Sequence, residues 1–251
     1  MAARANVYEG SVYMSRYLNG TWGDYQGPIE STRFSIKSNS TQLEQISRGR
    51  GTFGQVSESV SIQQPADFSV TFTEGTADVM AMGLMGTVGA LSQASGTLTA
   101  VTVVGVLDAW VPLTKAGLTG TTTVTNAAAS TTYVEGTDYL INRDLGLFKA
   151  LGSGTIGVAA ATLKLTSTYK ALTGKEILGG TSSDVRVRFM LDGRNLADGA
   201  LCQVLVHEAV LAAEEAVDFL SGEFINVPLT GRMKTPSGFA SPFMVKMLDT
   251  A

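Results

Sequence analysis

Two stretches of strict alternation dominate the chain. From Glu30 onward, Phe34 and Ile36 share one parity, while Arg33, Ser35, Lys37, Asn39 and Thr41 share the other. Further on, Val56, Val60 and Ile62 alternate with Ser57, Ser59, Ser61 and Gln63. Period-2 alternation of this kind predicts half-buried strands with one polar face. Gly49-Arg50-Gly51-Thr52-Phe53-Gly54 lies between them, so residues 30–72 read as one long β-hairpin closed by a flexible turn. A two-stranded ribbon is marginal in water, and this one needs a neighbour. Next, Thr76 is an N-cap candidate, and Val79, Met80, Gly83 and Leu84 give helical spacing. A short helix over 76–85 follows, ended by Gly86 and Gly89.

Beyond Leu91 the texture changes. Strands are expected over 101–112, 121–126, 133–142, 145–150 and 162–169, broken by turn signals about ten residues apart. Residues 95–172 therefore read as an inserted small β-sandwich, Ig-like or similar. Residues 1–94 and 173–251 form one discontinuous core domain, and glycine-rich runs at 86–96 and 174–180 serve as linkers. Alternation returns after Ser183, where Val185, Val187 and Phe189 oppose Arg186 and Arg188. Strands follow at 201–210, at Phe224, Val227 and Leu229, and at 243–248. Pro228 marks its strand as an edge or a bulge, and 212–219 reads as an irregular link or one helical turn.

The 251 residues are 44% hydrophobic, enough for a sizeable core, but only 16% charged, against about 25% in typical soluble domains. Much of the remaining polarity is Ser, Thr and Gly, which supports a mainly β chain and excludes intrinsic disorder. A net charge of −4 with 18 basic residues argues against binding nucleic acid through phosphates, which takes a clustered Lys/Arg footprint. No apolar run is long enough to cross a bilayer, and the first residues carry no secretory h-region, so folding in a cytoplasm is expected. A single cysteine, Cys202, excludes an internal disulfide framework and a cysteine-based zinc site.

Catalytic chemistry has little to work with, and no catalytic, cofactor-binding or metal-binding residue is assigned. His207, the one histidine, follows Val204-Leu205-Val206 and reads as a strand residue rather than a general base. On an extended strand Cys202 and His207 point to opposite faces, which rules out a dyad. Glu214 and Glu215 read as a solvated pair with nothing to set them either side of a substrate. The 49–54 turn matches G-x-G-x-x-G, yet a strand rather than a helix follows it, which removes the phosphate-binding helix end the dinucleotide motif requires.

Four features have a familiar combination. Glu44-Gln45-Ile46-Ser47-Arg48-Gly49 runs into Gly54-Gln55-Val56 and then Ile62 to Phe72 as a long hairpin, and the helix from Thr76 to Gly86 follows at once. Gly136-Thr137-Asp138-Tyr139-Leu140-Ile141 with Gly146-Leu147-Phe148 is a pattern of add-on β-domains in phage structural proteins. Gly193-Arg194-Asn195 through Gly231 and Thr235-Pro236-Ser237-Gly238 supply closing strands. In these features the chain resembles the tail tube (major tail) proteins of long-tailed bacteriophages, which are similar in fold to type VI secretion tube proteins. The resemblance covers essentially the whole chain and rests on pattern rather than on an invariant motif.

The resemblance implies a tail-tube-type β-sandwich or barrel flanked by a helix. It implies a structural, non-enzymatic virion protein that assembles in the host cytoplasm into hexameric rings stacked as the tail tube. Its partners would be further copies of itself, a tape measure protein, a tail terminator and distal tail proteins. DNA would pass through the lumen without specific binding, no cofactor is needed, and the monomer inserts in no membrane. A channel for a sliding polyanion favours hydroxyls and amides over cations. Asn39, Thr41, Ser57, Ser59, Ser61 and Gln63 are therefore expected to face the lumen, and Arg33 and Lys37 would then need acid partners or a reversed face. Arg48, Arg50 and Phe53 are expected at the contact between rings, as an exposed aromatic beside two arginines. The tyrosines Tyr8, Tyr13 and Tyr17 are a second stacking candidate. Other readings are a different ring-forming tail component, such as a terminator or distal ring, and a cell-surface or carbohydrate-binding β-sandwich. Trp22 and Trp110 lend that last reading little support.

Overall fold

The computed structural model describes residues 6–157 and 161–248. Among them the protein is mainly β, with eighteen strands and one short helix. The chain opens with β1 (Tyr8–Leu18), β2 (Thr21–Trp22), β3 (Gln26–Ile29), β4 (Ser31–Ile46), β5 (Val56–Phe72) and α1 (Ala77–Gly83). It continues through β6 (Thr87–Gln93), β7 (Gly96–Gly105), β8 (Trp110–Pro112), β9 (Leu118–Asn126), β10 (Thr132–Tyr133), β11 (Tyr139–Asn142), β12 (Leu147–Ala150) and β13 (Ala161–Tyr169). The last strands are β14 (Leu172–Leu178), β15 (Val185–Asn195), β16 (Leu201–Ala213), β17 (Val227–Met233) and β18 (Phe243–Leu248).

Two compact units result, Met1–Gly89 with Ile177–Ala251, and Ala90–Glu176. These bounds lie within a few residues of the expected ones, 94/95 and 172/173. The glycine-rich runs expected as linkers are largely strand: β6 and β14 pair with each other as a separate two-stranded sheet.

In the first unit one antiparallel sheet runs in the order β2-β1-β15-β16-β17-β5-β4, with β3 also on β1 and β18 also on β16. Alternate residues turn inward to a single core: Val12 and Met14 from β1, Phe68, Val70 and Phe72 from β5, Val185, Val187 and Phe189 from β15, and Val227 and Leu229 from β17. Phe68 and Phe189 lie 4.9 Å apart at their centres, with Phe34 edge-on to both.

Helix α1 adds Val79 and Met82 to this core. Thr76 caps it as the sequence predicts, its Oγ1 accepting from the Val79 N–H at 3.3 Å. The helix ends earlier than expected, with Met85 rather than a glycine taking a positive φ of 50°. Arg16 shares the inward parity of Val12 and Met14, and it is satisfied there. It pairs with Asp78 of the first helical turn at 3.3 Å and donates to the Gly86 carbonyl at 3.2 Å.

In the second unit a four-stranded sheet, β10-β9-β13-β7, and a three-stranded sheet, β11-β12-β8, share a core of Leu98, Val124, Tyr139, Phe148, Leu163 and Leu165 among others. Tyr139 places its ring beside Phe148 and donates its hydroxyl proton to the Thr122 carbonyl at 3.0 Å. The strands expected over 101–112 and 133–142 each break in two. Asp108 adopts a positive φ of 57° in the first gap, and Gly136 one of 85° in the second.

Three further expectations are corrected. β16 runs on to Ala213, so the start of the 212–219 stretch is strand and no helical turn forms there. Phe224 lies before β17 rather than in it, with its side chain 94% exposed. Pro228 sits in an interior strand, since β17 pairs with both β16 and β5. It is the second residue of β17 and stands opposite Glu214, just beyond the end of β16: its carbonyl accepts from the Glu214 amide, and the missing N–H ends the ladder between the two strands at that point.

Candidate assembly interface

The hairpin is the most exposed ordered element of the first unit. β17 pairs with β5 only from Asp67 to Phe72, whereas β4 pairs with β5 along its whole length. The outer part, residues 39–46 with 56–64, is thus a ribbon with no neighbouring strand on either side among the described residues. β4 ends the sheet, so its outer backbone donors and acceptors are unpaired as well.

Register decides what that ribbon displays, because directly opposed residues in an antiparallel pair project from the same face. At its base Lys37 faces Asp67, and two residues further along β4, Asn39 faces Gln64. Pro65 and Ala66 therefore both oppose Ser38, forming a β-bulge. Beyond the bulge, Asn39/Gln64, Thr41/Ile62, Leu43/Val60 and Gln45/Glu58 share one face. Ser40/Gln63, Gln42/Ser61 and Glu44/Ser59 share the other.

The six residues expected to line a lumen therefore do not front one surface. Asn39 and Thr41 lie with Leu43, Val60 and Ile62, while Ser59, Ser61 and Gln63 lie on the opposite face. Ser57 sits at a second bulge near the turn, where its hydroxyl donates to the Gln45 carbonyl at 2.9 Å. Asn39 is tied down, donating to Asp67 Oδ2 at 2.8 Å and to the Pro65 carbonyl at 3.2 Å. One face of the ribbon is a hydroxyl and amide surface. The other carries an apolar stripe of Leu43, Val60 and Ile62, all exposed, whereas the exposed pair Ile46 and Val56 lies at the far end of the hydroxyl and amide face.

The turn is ordered by its own bonds. The Ser47 and Gly54 amides each donate across the turn, to the Gln55 and Ser47 carbonyls, and the Ser47 and Thr52 hydroxyls lie 2.8 Å apart. Gly51 and Gly54 take positive φ, and Phe53 is held outward at 78% exposure beside the exposed Arg48 and Arg50. The three residues expected at a contact thus share one tip. The strand β5 that follows removes the helix end a nucleotide motif would require.

The outward face of the core sheet carries the charge. Arg33 pairs with Glu214 at 3.4 Å and Arg232 with Asp67 at 3.7 Å, so the acid partner of Arg33 lies in the same chain. Further across, Val187 faces Ala209 and Phe189 faces Val206, so His207 and Glu208 together oppose Arg188 in another bulge. Glu208 is 3% exposed and lies 2.8 Å from Arg186 and 3.5 Å from Lys234. Arg186 lies 4.0 Å over the Tyr17 ring and Arg188 3.9 Å over Trp22. Tyr17 is thereby occupied within the chain, and with β1 paired to β15 it belongs to the sheet rather than to a free arm. The members of this cluster are spread over more than 200 positions of the sequence, so no local spacing announces it.

His207 stacks on Phe239 at 4.0 Å, and burial, then the Arg188 charge, hold its pKa below the ordinary histidine value. Burial pushes the Cys202 thiol up, away from thiolate chemistry. Among the described residues, no three His, Cys, Asp or Glu side chains are gathered where they could share a metal ion. Among the same residues, no helix is long and apolar enough to cross a membrane.

Residues 6–235 match the family described as "Protein of unknown function UCP028589". The chain belongs to this family. No curated protein matches it.

Proposed function

We propose that the protein is a structural subunit that assembles with copies of itself, as rings stacked into a tube of the kind built by the major tail proteins of long-tailed bacteriophages. The observation that carries the reading is the outer hairpin: a ribbon free on both edges, with Leu43, Val60 and Ile62 exposed on one face. Long unpaired edges invite pairing with another chain, and soluble proteins normally blunt them with charge, proline or cover. Over 41–46 the free edge of β4 carries one charged residue, Glu44. Closing a sheet across copies satisfies the edge backbone and buries the stripe together. A rotation that closes gives a ring, and stacking through the Arg48, Arg50 and Phe53 tip extends rings into an open tube.

Negative-stain electron microscopy of the purified protein at high concentration, with light scattering after size exclusion, tests this. Hollow tubes or stacked rings are expected. Single closed rings that never stack reassign the protein to a terminator or distal ring. A chain that stays monomeric at every concentration, and is indifferent to polar replacement of Leu43, Val60 and Ile62, overturns the reading.

A further inference from the structure

Two exposed segments lie at opposite ends of the first unit's sheet. β17 starts with Val227 opposite Phe72, the last residue of β5, so the 214–226 loop between β16 and β17 lies at the end where β5 finishes. The 47–55 turn precedes β5 and lies at the other end. The 17 residues of β5 separate the two by up to about 55 Å at the rise of an extended chain. The loop is anchored at both sides, Val217 against Gly83 of α1 and Ile225 against the core. Between these anchors the Leu220 amide donates to Asp218 Oδ1 at 2.8 Å, the Glu223 amide donates to Ser221 Oγ at 3.3 Å, and Gly222 takes a φ of 74°. Phe219, Leu220 and Phe224 project from this frame, the last two at 94% exposure. Three large apolar side chains displayed over 219–224 mark an interaction surface rather than scattered surface residues.

Charge sets the two segments apart. Residues 214–226 contain Glu214, Glu215, Asp218 and Glu223 and no Lys or Arg. Glu214 pairs with Arg33, while Glu215, Asp218 and Glu223 form no ion pair among the described residues. Residues 47–55 contain Arg48 and Arg50 and no acid, and neither arginine is paired among the described residues. Each segment thus sets exposed aromatic surface beside charge of one sign, and the signs are opposite. Tip against tip, or loop against loop, would bring like charges together, whereas tip against loop is complementary. A contact between unlike surfaces at opposite ends of a subunit is heterologous, and it repeats without closing.

We infer that the Arg48, Arg50 and Phe53 tip is received by the 215–224 loop of a second copy, stacked head to tail. Phe53 packs among Phe219, Leu220 and Phe224, and the two guanidiniums meet the carboxylates of Glu215, Asp218 and Glu223. The inference rests on the self-assembly reading, to which it adds the receiving surface, the polarity of stacking and a dependence on salt. Exposed charges are screened as the Debye length falls from about 10 Å at 0.1 M to about 3 Å at 1 M, so stacking weakens over that range.

The test is a charge swap in the full chain, read by sedimentation across a dilution series and by negative-stain electron microscopy. One variant carries Arg48→Glu with Arg50→Glu, a second Glu215→Arg with Glu223→Arg, and a third all four substitutions. All four positions are exposed, so the melting temperature of each variant should match wild type. Each pair alone should raise the concentration at which rings stack by at least about tenfold, and the four together should restore it. A four-fold variant that stacks no better than either pair overturns the inference. A second measurement keeps the charges and follows disulfide formation on mild oxidation of Phe53→Cys, of Leu220→Cys and of their mixture, with Cys202 buried and out of reach. A linked dimer is expected only in the mixture. Linkage in Phe53→Cys alone would mean that tip meets tip, which also overturns the inference. Wild-type stacks that ignore both charge pairs would place the contact elsewhere and leave the self-assembly reading standing, whereas a wild-type chain that never assembles removes both.

Discussion

Thr41 stands directly opposite Ile62 in the hairpin, so a hydroxyl and an isoleucine share one face of the ribbon. The bulge at Pro65 and Ala66 is the cause. On β5 the residues Val60, Ile62, Ala66, Phe68 and Val70 all have even numbers, yet the first two lie on the opposite face from the last three. The apolar side chains beyond the bulge are thereby turned away from the core and left exposed.

Replacing Leu43 and Val60 together with Asn should abolish assembly while leaving the fold intact. Both side chains are exposed, and surface substitutions of this kind usually change stability by no more than about 0.5 kcal/mol. Light scattering should report a monomer and the melting temperature should hold. A loss of assembly matched by a large drop in melting temperature would mean that the stripe supports the subunit itself.

Phe53→Ala addresses the tip alone. The turn keeps its hydrogen bonds between Ser47, Thr52, Gly54 and Gln55 without the ring. Exposed aromatic anchors at interfaces commonly contribute about 2 kcal/mol or more. Rings should form but stack only at higher concentration, which sedimentation across a dilution series would read. Unchanged stacking would remove Phe53 from the contact.

The sequence was legible wherever local pattern and final geometry agree. Alternation over Val185 to Phe189 and the Thr76 cap both translate directly into a buried strand face and a capped helix. Parity arguments fail at bulges, because one extra residue reverses every later face. Pro65 is the local sign of that reversal, since a proline inside a strand marks an edge or a bulge, but it does not say which residues oppose one another, and so Asn39 and Thr41 do not share a face with Ser59, Ser61 and Gln63. The same holds for His207 and Glu208, which both oppose Arg188 only because the ladder slips by one residue. The outward cluster of Arg186, Glu208 and Lys234 was invisible for a different reason, since cross-strand neighbours are set by sheet order rather than by spacing along the chain.

Gly83 closes the helix against β17. A Cβ there would lie 2.7 Å from Val227 Cγ1 and 3.3 Å from Val217 Cγ2. Gly83→Ala gains about 1 kcal/mol of helix propensity. Overpacking against a buried valine costs about 1–3 kcal/mol, so the net expectation is destabilisation. Thermal melts of Gly83→Ala, Val227→Ala and the double variant check it: the double variant should be more stable than the summed losses, because shortening Val227 makes room for the new methyl. Additive losses would place the strain elsewhere.

Asp138 should make the second unit acid-sensitive. Hydrogen bonds from the Thr155 and Val134 amides and the Thr155 hydroxyl hold its carboxyl below the ordinary aspartate pKa. A depressed folded-state value means that the carboxylate's stabilisation is complete above the unfolded value, about 3.9, and is lost as pH falls through the folded one. Asp138→Asn should therefore melt below wild type at neutral pH, with the gap closing in acid. A gap that is constant with pH would assign the loss to geometry rather than charge.

Glu208 is the carboxylate on which the outward cluster turns. It is buried, and it accepts from Arg186 Nε at 2.9 Å while Lys234 Nζ lies 3.5 Å away. Removing one partner of a buried ion pair typically costs about 3–5 kcal/mol, because the other charge is left uncompensated. Arg186 is partly exposed and keeps its place over Tyr17, which softens the loss. Glu208→Gln should therefore destabilise by about 1–3 kcal/mol, read by urea denaturation. Arg186→Gln in the same background separates pairing from packing. If the ion pair dominates, the second substitution adds little to the first; if the stacking of Arg186 on Tyr17 dominates, it adds its full cost. A Glu208→Gln protein as stable as wild type would show that the bulge at His207 and Glu208 is held by its backbone alone.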